Sequence, residues 1–186
     1  MEISFETPFA RADFNELMKR EAGVDLEKGG EIDELKEVCK AHDLEFEQNA
    51  SRGRLIDVIF DALVQPSLIQ PTFVYNHPIE LSPLARKLAA SPRFVERFEL
   101  FIAGHEIANA FNELNDPYDQ RARFEQQVAL RAIGEEEAHP LDEDFLFAME
   151  HGMPPAGGMG LGVDRLVMLV TGSHSIRDVI FFPMMR

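Results

Sequence analysis

Apolar and polar positions repeat with two different periods along this chain, and the change of period divides it. Between residues 10 and 64 the period is helical. ARADFNELMKREA (10–22), EIDELKEVCKAHD (31–43) and the segment 54–64 each set an apolar stripe against a polar face. Gly23 closes the first, Gly29-Gly30 open the second, and Pro66 stops the third. From about residue 70 the pattern shortens. QPTFVY (70–75), ended by Asn76-His77-Pro78, predicts a strand. FVERFELFIAGHEIANAFNE (94–113) holds two β-compatible runs either side of Ala103-Gly104, a hairpin signal. Asp116 is placed as the N-cap, and Pro117 as the first residue, of a helix that runs to about Ile133 before Gly134. An acidic loop (135–140), a short helix (141–151), a glycine run, a helix (164–170) and a last strand (179–182) complete the order. Helices and strands do not alternate regularly, and the clearest strand pair is a hairpin. The predicted class is α+β, an antiparallel sheet flanked by helices.

Composition narrows the functions open to such a fold. At 186 residues the chain has the length of one domain, with no internal repeat or clear linker. Its formal net charge of -15 repels phosphate backbones, so a tight grip on nucleic acid through a broad basic face is excluded. No apolar run approaches the roughly 20 residues of a membrane span, and the N-terminus does not read as a signal peptide. Cys39 is the single cysteine, which fits a reducing compartment, and a cytoplasmic protein is expected. The histidines show no zinc-binding spacing, and Ser82 and Ser173 sit in no nucleophile-elbow context. Phe181-Phe182 and Met184-Met185 read as core.

Two stretches carry candidate chemistry. In GGMGLGVDRLVMLVTG (157–172) the spacing of Gly158, Gly160 and Gly162 matches neither a P-loop nor a dinucleotide fingerprint. Glycine at every second position of an extended segment clears one face of side chains for a flat ligand or for another backbone, and the spacing leaves both open. Arg165, at the start of the next helix, is suited to a phosphate or a purine ring. In the hairpin, a two-residue turn sets Phe101 opposite Glu106 and Glu99 opposite Ala108, which makes Glu99 and Glu106 diagonal neighbours on a face kept open by Ala108 and Ala110. Such a pair suits Mg²⁺ shared with substrate phosphates, or is a solvated face that tolerates two acids, and the pattern leaves both open. Further along, Asn109, Phe111 and Glu113 offer an amide, a ring and a carboxylate, complementary to an anionic head, an apolar stem and a cationic end. A lysine molecule has that shape. A regular strand sets this row on the face opposite Glu106, and only a bulge or strong twist between Glu106 and Asn109 unites the two sets.

The run GGMGLGVDRLVMLVTGSHSIRDVIFFP resembles the third signature motif of the class II aminoacyl-tRNA synthetases, in the form found in lysyl-tRNA synthetases. LIQPTFVYNHPIELSPLARK (68–87), RFELFIAGHEIANAFNELNDPYDQRARF (97–124) and LDEDFLFAMEHGMPPAGGMGLGVDR (141–165) agree with it, in order along essentially the whole chain. The resemblance implies ATP-dependent formation of lysyl-adenylate and transfer of lysine to tRNA(Lys) by a homodimer. Residue by residue, it implies that Arg165 contacts ATP over a floor of Gly160 and Gly162, and that Glu99 and Glu106 hold Mg²⁺ on the ATP phosphates. It further implies that Asn109 lies by the lysine carboxylate, Phe111 along its stem and Glu113 at its ε-ammonium. A complete member also carries an OB-fold anticodon domain and motifs 1 and 2, which are not in this sequence, so residues 1–186 are expected to be the C-terminal portion of a catalytic domain. By itself the portion is expected to bind ATP weakly at best and to show no lysine-dependent pyrophosphate exchange. Rival readings are the lysyl-transferase paralogue that modifies an elongation factor, the aspartyl and asparaginyl synthetases, and a non-catalytic interaction fragment.

Overall fold

Asp13 decides where the chain passes from strand to helix. In the computed structural model, which describes residues 2–135 and 138–184, its carboxylate accepts from the backbone N–H groups of Asn15 and Glu16 and caps α1 (Phe14–Ala22). The residues before it form β1 (Ala10–Asp13), paired in parallel with residues 72–75. The helix expected over 10–22 is therefore split. ARAD is too short to show a strand period, and its extended state comes from a partner distant in sequence.

Two further helices, α2 (Ile32–Ala41) and α3 (Arg52–Ile59), follow. Ser51 caps α3 by accepting from the Arg54 N–H, so the helix starts two residues before the expected 54, and the expected continuation to residue 64 is a π-helical turn. Strands β2 (Thr72–Pro78), β3 (Phe94–Ile102), β4 (His105–Asn112) and β5 (Gly157–Leu161) complete a sheet of order β1-β2-β3-β4-β5. All neighbours except β1 and β2 are antiparallel. The sheet is mixed, which corrects the purely antiparallel expectation; the α+β class stands. The β3–β4 turn is the two-residue hairpin, with Ala103 and Gly104 both at positive φ.

The core lies between one sheet face and α1–α3. Phe14, Leu17, Met18, Leu35, Leu55, Ile56 and Ile59 bury themselves against Val74 and Phe101. Phe14 stacks on Phe60, with ring centroids 4.5 Å apart. A smaller cluster of Phe124, Leu146 and Met149 joins α4 (Pro117–Ala132) to α5 (Glu143–Glu150). Helix α4 is fixed to the loop after β2 by a buried arginine: Arg123 donates to the carbonyls of Ser82 and Ala85 and pairs with Asp119, which also holds Lys87. Removing it leaves the Ala85 carbonyl without this donor and Asp119 with Lys87 alone. Arg123→Met is expected to cost about 3 kcal/mol, read as the shift in urea midpoint at constant m-value.

The C-terminal segment departs from expectation. Helix α6 (Val163–Thr171) keeps its apolar stripe, but none of its residues is buried. Residues 179–182 form no strand; a 3-10 turn (Ile176–Asp178) leads into irregular chain with Phe181 95% and Phe182 93% exposed. Met184 is also exposed, and Met185 lies outside the described residues. The physical reason is position: β5 is the outermost strand, and nothing in the described chain lies beyond it to bury these side chains.

Candidate active site

Two register shifts build the site. The β2–β3 ladder slips between Tyr75 and His77, where Asn76 takes a positive φ and donates its side-chain amide to Asp13 at 2.8 Å. The slip turns His77 onto the face of Val74. On the other side of β3, Leu100 pairs with Ala108 while Phe101 pairs with Glu106, so Ile107 is a bulge. Its carbonyl accepts from the Gly162 N–H at 2.9 Å, which ties the bulge to the start of α6. One extra residue inverts the alternation downstream. Glu106 faces Phe101, Asn109 faces Glu99, and Phe111 faces Arg97, all on one face. The bulge that the two candidate sets required is present. The same inversion corrects two expectations: Glu99 lies opposite Asn109, not Ala108, and Ala108 and Ala110 are buried on the other face.

The glycines fall on the same face. Gly158 pairs with Phe111 and Gly160 with Asn109, directly over the amide and the ring. A Cβ at Gly158 collides with the Glu113 carboxylate, whereas at Gly160 the nearest atom is the Asn109 carbonyl oxygen at 3.9 Å. Gly160 therefore leaves a flat, open floor, while Gly158 makes room for Glu113. Gly162 lies past the strand end and starts α6, whose N-terminus has no side-chain cap and so keeps N–H groups available to an anion. Glu106, Asn109, Gly160, Gly162 and Arg165 together line one cleft of about 380 Å³. A second cleft, about 440 Å³, shares Glu106 and Arg165 and adds His77, Arg97 and Glu99.

Among the site residues singled out above, charge is arranged in pairs, with Glu113 apart. Arg165 donates to the Glu106 carbonyl at 2.8 Å and lies 3.6 Å from its carboxylate. Arg97, which the motif analysis did not single out, pairs with Glu99 and donates to Asn109 Oδ1 at 3.1 Å and to Leu81 O and Ser82 Oγ at 2.8 Å. A period-two reading of FVERFELF holds the signal for it: Val95, Arg97, Glu99 and Phe101 share a face. The exception is Glu113. Among the described residues no Lys, Arg or His pairs with its carboxylate, and partial burial raises its pKa.

Burial dominates the two titratable groups at the centre. It pushes Glu99 up to about 7, Arg97 opposing and Glu106 adding to the rise. It pushes His77, 2% exposed, down to about 3, aided by the Arg97 charge and opposed by a hydrogen bond to the Val74 carbonyl. His77 is thus neutral beside Glu99 despite an Nε2–Oε2 distance of 3.9 Å. The two shifts act on stability with opposite signs. A carboxyl raised from 4.5 to about 7 favours the fold below 4.5 and loses that advantage as pH rises to 7. A histidine lowered from 6.5 to about 3 supports the fold above 6.5 and loses that support as pH falls to 3. Between pH 4.5 and 6.5 the slopes cancel. Without divalent cations, the urea midpoint is expected to be flat there with respect to these groups and to drop below pH 4.5 at about 1.4 kcal/mol per pH unit from His77. His77→Gln removes that acid-side slope; an unchanged slope would refute the assignment.

No group of three or more His, Cys, Asp or Glu converges among the described residues, so an all-protein metal cage is not what the chain builds. Glu99 and Glu106, diagonal and mutually repelling, fit Mg²⁺, which keeps waters and shares phosphate oxygens.

The sequence profile of the family described as class II tRNA synthetases (D, K and N) matches residues 1–186. The chain belongs to this family. Its relatives include the lysine–tRNA ligases of Moorella thermoacetica, 54% identical over 184 residues, and of Syntrophomonas wolfei, 53% identical over 188 residues. That of Leuconostoc mesenteroides is 51% identical over 185 residues. These alignments cover 99–100% of this chain and 37–38% of each relative, so the chain spans a little over a third of their length. No helix among the described residues is long and apolar enough to cross a membrane.

Proposed function

We propose that this chain forms the amino-acid and nucleotide wall of a lysine–tRNA ligase, as the C-terminal portion of its catalytic domain. The observation that carries the reading is the row Asn109, Phe111, Glu113, turned to the Glu99 face by the bulge at Ile107 and ending in an acid that no cation pairs among the described residues. The printed names of the relatives support the same substrate.

In this reading Asn109 receives the lysine carboxylate, Phe111 lies along the alkyl stem and Glu113 meets the ε-ammonium. Arg165, released from Glu106, takes the ATP phosphates or stacks on the purine, over the floor of Gly160 and Gly162. Glu99 and Glu106 hold Mg²⁺, which neutralises phosphate charge when bound. A carboxylate oxygen of lysine attacks the α-phosphorus, the bond to the bridging oxygen breaks, and pyrophosphate leaves. A ribose hydroxyl of tRNA(Lys) then attacks the acyl carbon and AMP departs. What this wall contributes is positioning and oriented charge along that line. The ligase is read as a cytoplasmic homodimer, in keeping with a reduced, buried Cys39.

The test is ATP–pyrophosphate exchange by the full-length ligase containing this chain, with lysine, aspartate and asparagine offered separately. Exchange dependent on lysine alone is expected. Exchange with either of the others, and none with lysine, overturns the reading.

A further inference from the structure

Asn109 is held in one orientation by chemistry, not by crowding. A guanidinium has only N–H donors, so the atom facing Arg97 Nε at 3.1 Å must be the amide oxygen. The amide nitrogen is then turned away from Arg97, and among the described residues it donates to no acceptor. Asn109 lines the cleft with Glu106, Gly160 and Arg165, so a free NH2 group there offers donors only. Arg97 is itself immobilised, anchored to Leu81 O and Ser82 Oγ on one side and to Glu99 on the other. Ser82 is in turn fixed from behind, since its carbonyl accepts from buried Arg123. The orientation of one amide is thus wired back to α4.

We propose that Arg97 is a positioning residue that locks the Asn109 amide with its donors toward the ligand, and thereby makes the site select a carboxylate head over a carboxamide. The proposal rests on the lysine reading above. A freely rotating asparagine would present oxygen or nitrogen with equal ease and would accept either head. A locked one offers donors alone: either oxygen of a carboxylate can accept there, whereas a carboxamide has one accepting oxygen and an NH2 that finds no acceptor on Asn109, an unpaired polar contact of the kind that gives discrimination. Arg97 also links the two halves of the site, because the same planar fork holds Glu99 of the cation pair and Asn109 of the lysine row.

Arg97→Lys keeps the charge beside Glu99 but loses the fork, since a single ammonium does not reproduce the fixed donor to Asn109. In the full-length ligase the variant is expected to raise the lysine KM on the order of tenfold with the ATP KM within about twofold. The decisive readout is inhibition by lysine amide. The ratio of its inhibition constant to the lysine KM should fall about tenfold in Arg97→Lys, and in an Asn109→Ala background the Arg97→Lys change should leave the ratio unmoved. An unchanged ratio in the Asn109-containing variant overturns the proposal. Should Arg97→Lys not fold, the unmodified protein still decides by NMR. The Asn109 side-chain amide protons should shift on adding lysine and not on adding lysine amide, and equal shifts with both overturn it. The lysine reading itself fails by a different result, the absence of lysine-dependent exchange in the unmodified ligase.

Discussion

Glu113→Gln in the full-length ligase is expected to raise the lysine KM by roughly a hundredfold while leaving the ATP KM within about twofold. The size follows from what the acid is: a partly buried carboxylate with no cation of its own among the described residues, its pKa raised by that burial. Such a group carries a desolvation cost in the free protein that only a cationic ligand offsets, so neutralising it removes attraction without breaking any internal pair. For the same reason the fold should not suffer. The melting temperature is expected to stay within about 2 °C of the parent. Steady-state exchange kinetics with both substrates varied separate the cases: equal increases in both KM values would falsify the assigned role.

Gly158→Ala is the second large effect, and it acts through the same acid. The new methyl group lands on the Glu113 carboxylate, with the Glu113 Cδ next at 3.6 Å and no backbone atom in the way. The end of a side chain moves at little cost, so the strand tolerates the methyl and Glu113 is pushed out of line. The lysine KM is expected to rise at least tenfold, with stability unchanged or raised by about 0.5–1 kcal/mol because glycine leaves a strand interior. Gly160→Ala is the control. Its methyl meets only the Asn109 carbonyl oxygen at 3.9 Å, so the loss there should fall on ATP, whose flat base needs the open floor. Because Gly158 and Glu113 share one cause, combining Gly158→Ala with Glu113→Gln should give far less than the product of the single effects. A full product means the methyl acts elsewhere.

The glycine run illustrates how far periodicity carries. Alternate glycine on an extended segment announced one cleared face, and β5 has it, with Gly158 and Gly160 over Phe111 and Asn109. Spacing did not say that the two glycines do different work, one making room for an acid and the other leaving a floor. That distinction depends on side-chain reach across β4. The acids show the same limit. A two-residue turn placed Phe101 opposite Glu106, as observed, but Glu99 was set against Ala108 because the bulge at Ile107 leaves no local signature in HEIANAF. It is stabilised from outside the hairpin, by the Gly162 N–H. At the other end, the stripe of α6 and Phe181-Phe182 marked apolar surface correctly while overstating its burial, since hydrophobicity records what a residue prefers to meet and not whether anything is there.

By itself the sequence determined the elements whose signals are local: the cap at Asp116, the hairpin turn at Ala103-Gly104, and the residue types able to bind an anion, a stem and a cation. Each depends on chemistry within a few neighbouring residues. Only the tertiary structure decided the parallel strand β1, the neutral His77 behind Glu99, the guanidinium of Arg97 joining Glu99 to Asn109, and the shared face of Glu106 and Glu113. These rest on register and burial, and a one-residue shift in register moves every later side chain to the other face of the sheet. Alternation alone cannot reveal that shift when the contact that holds it comes from another part of the chain.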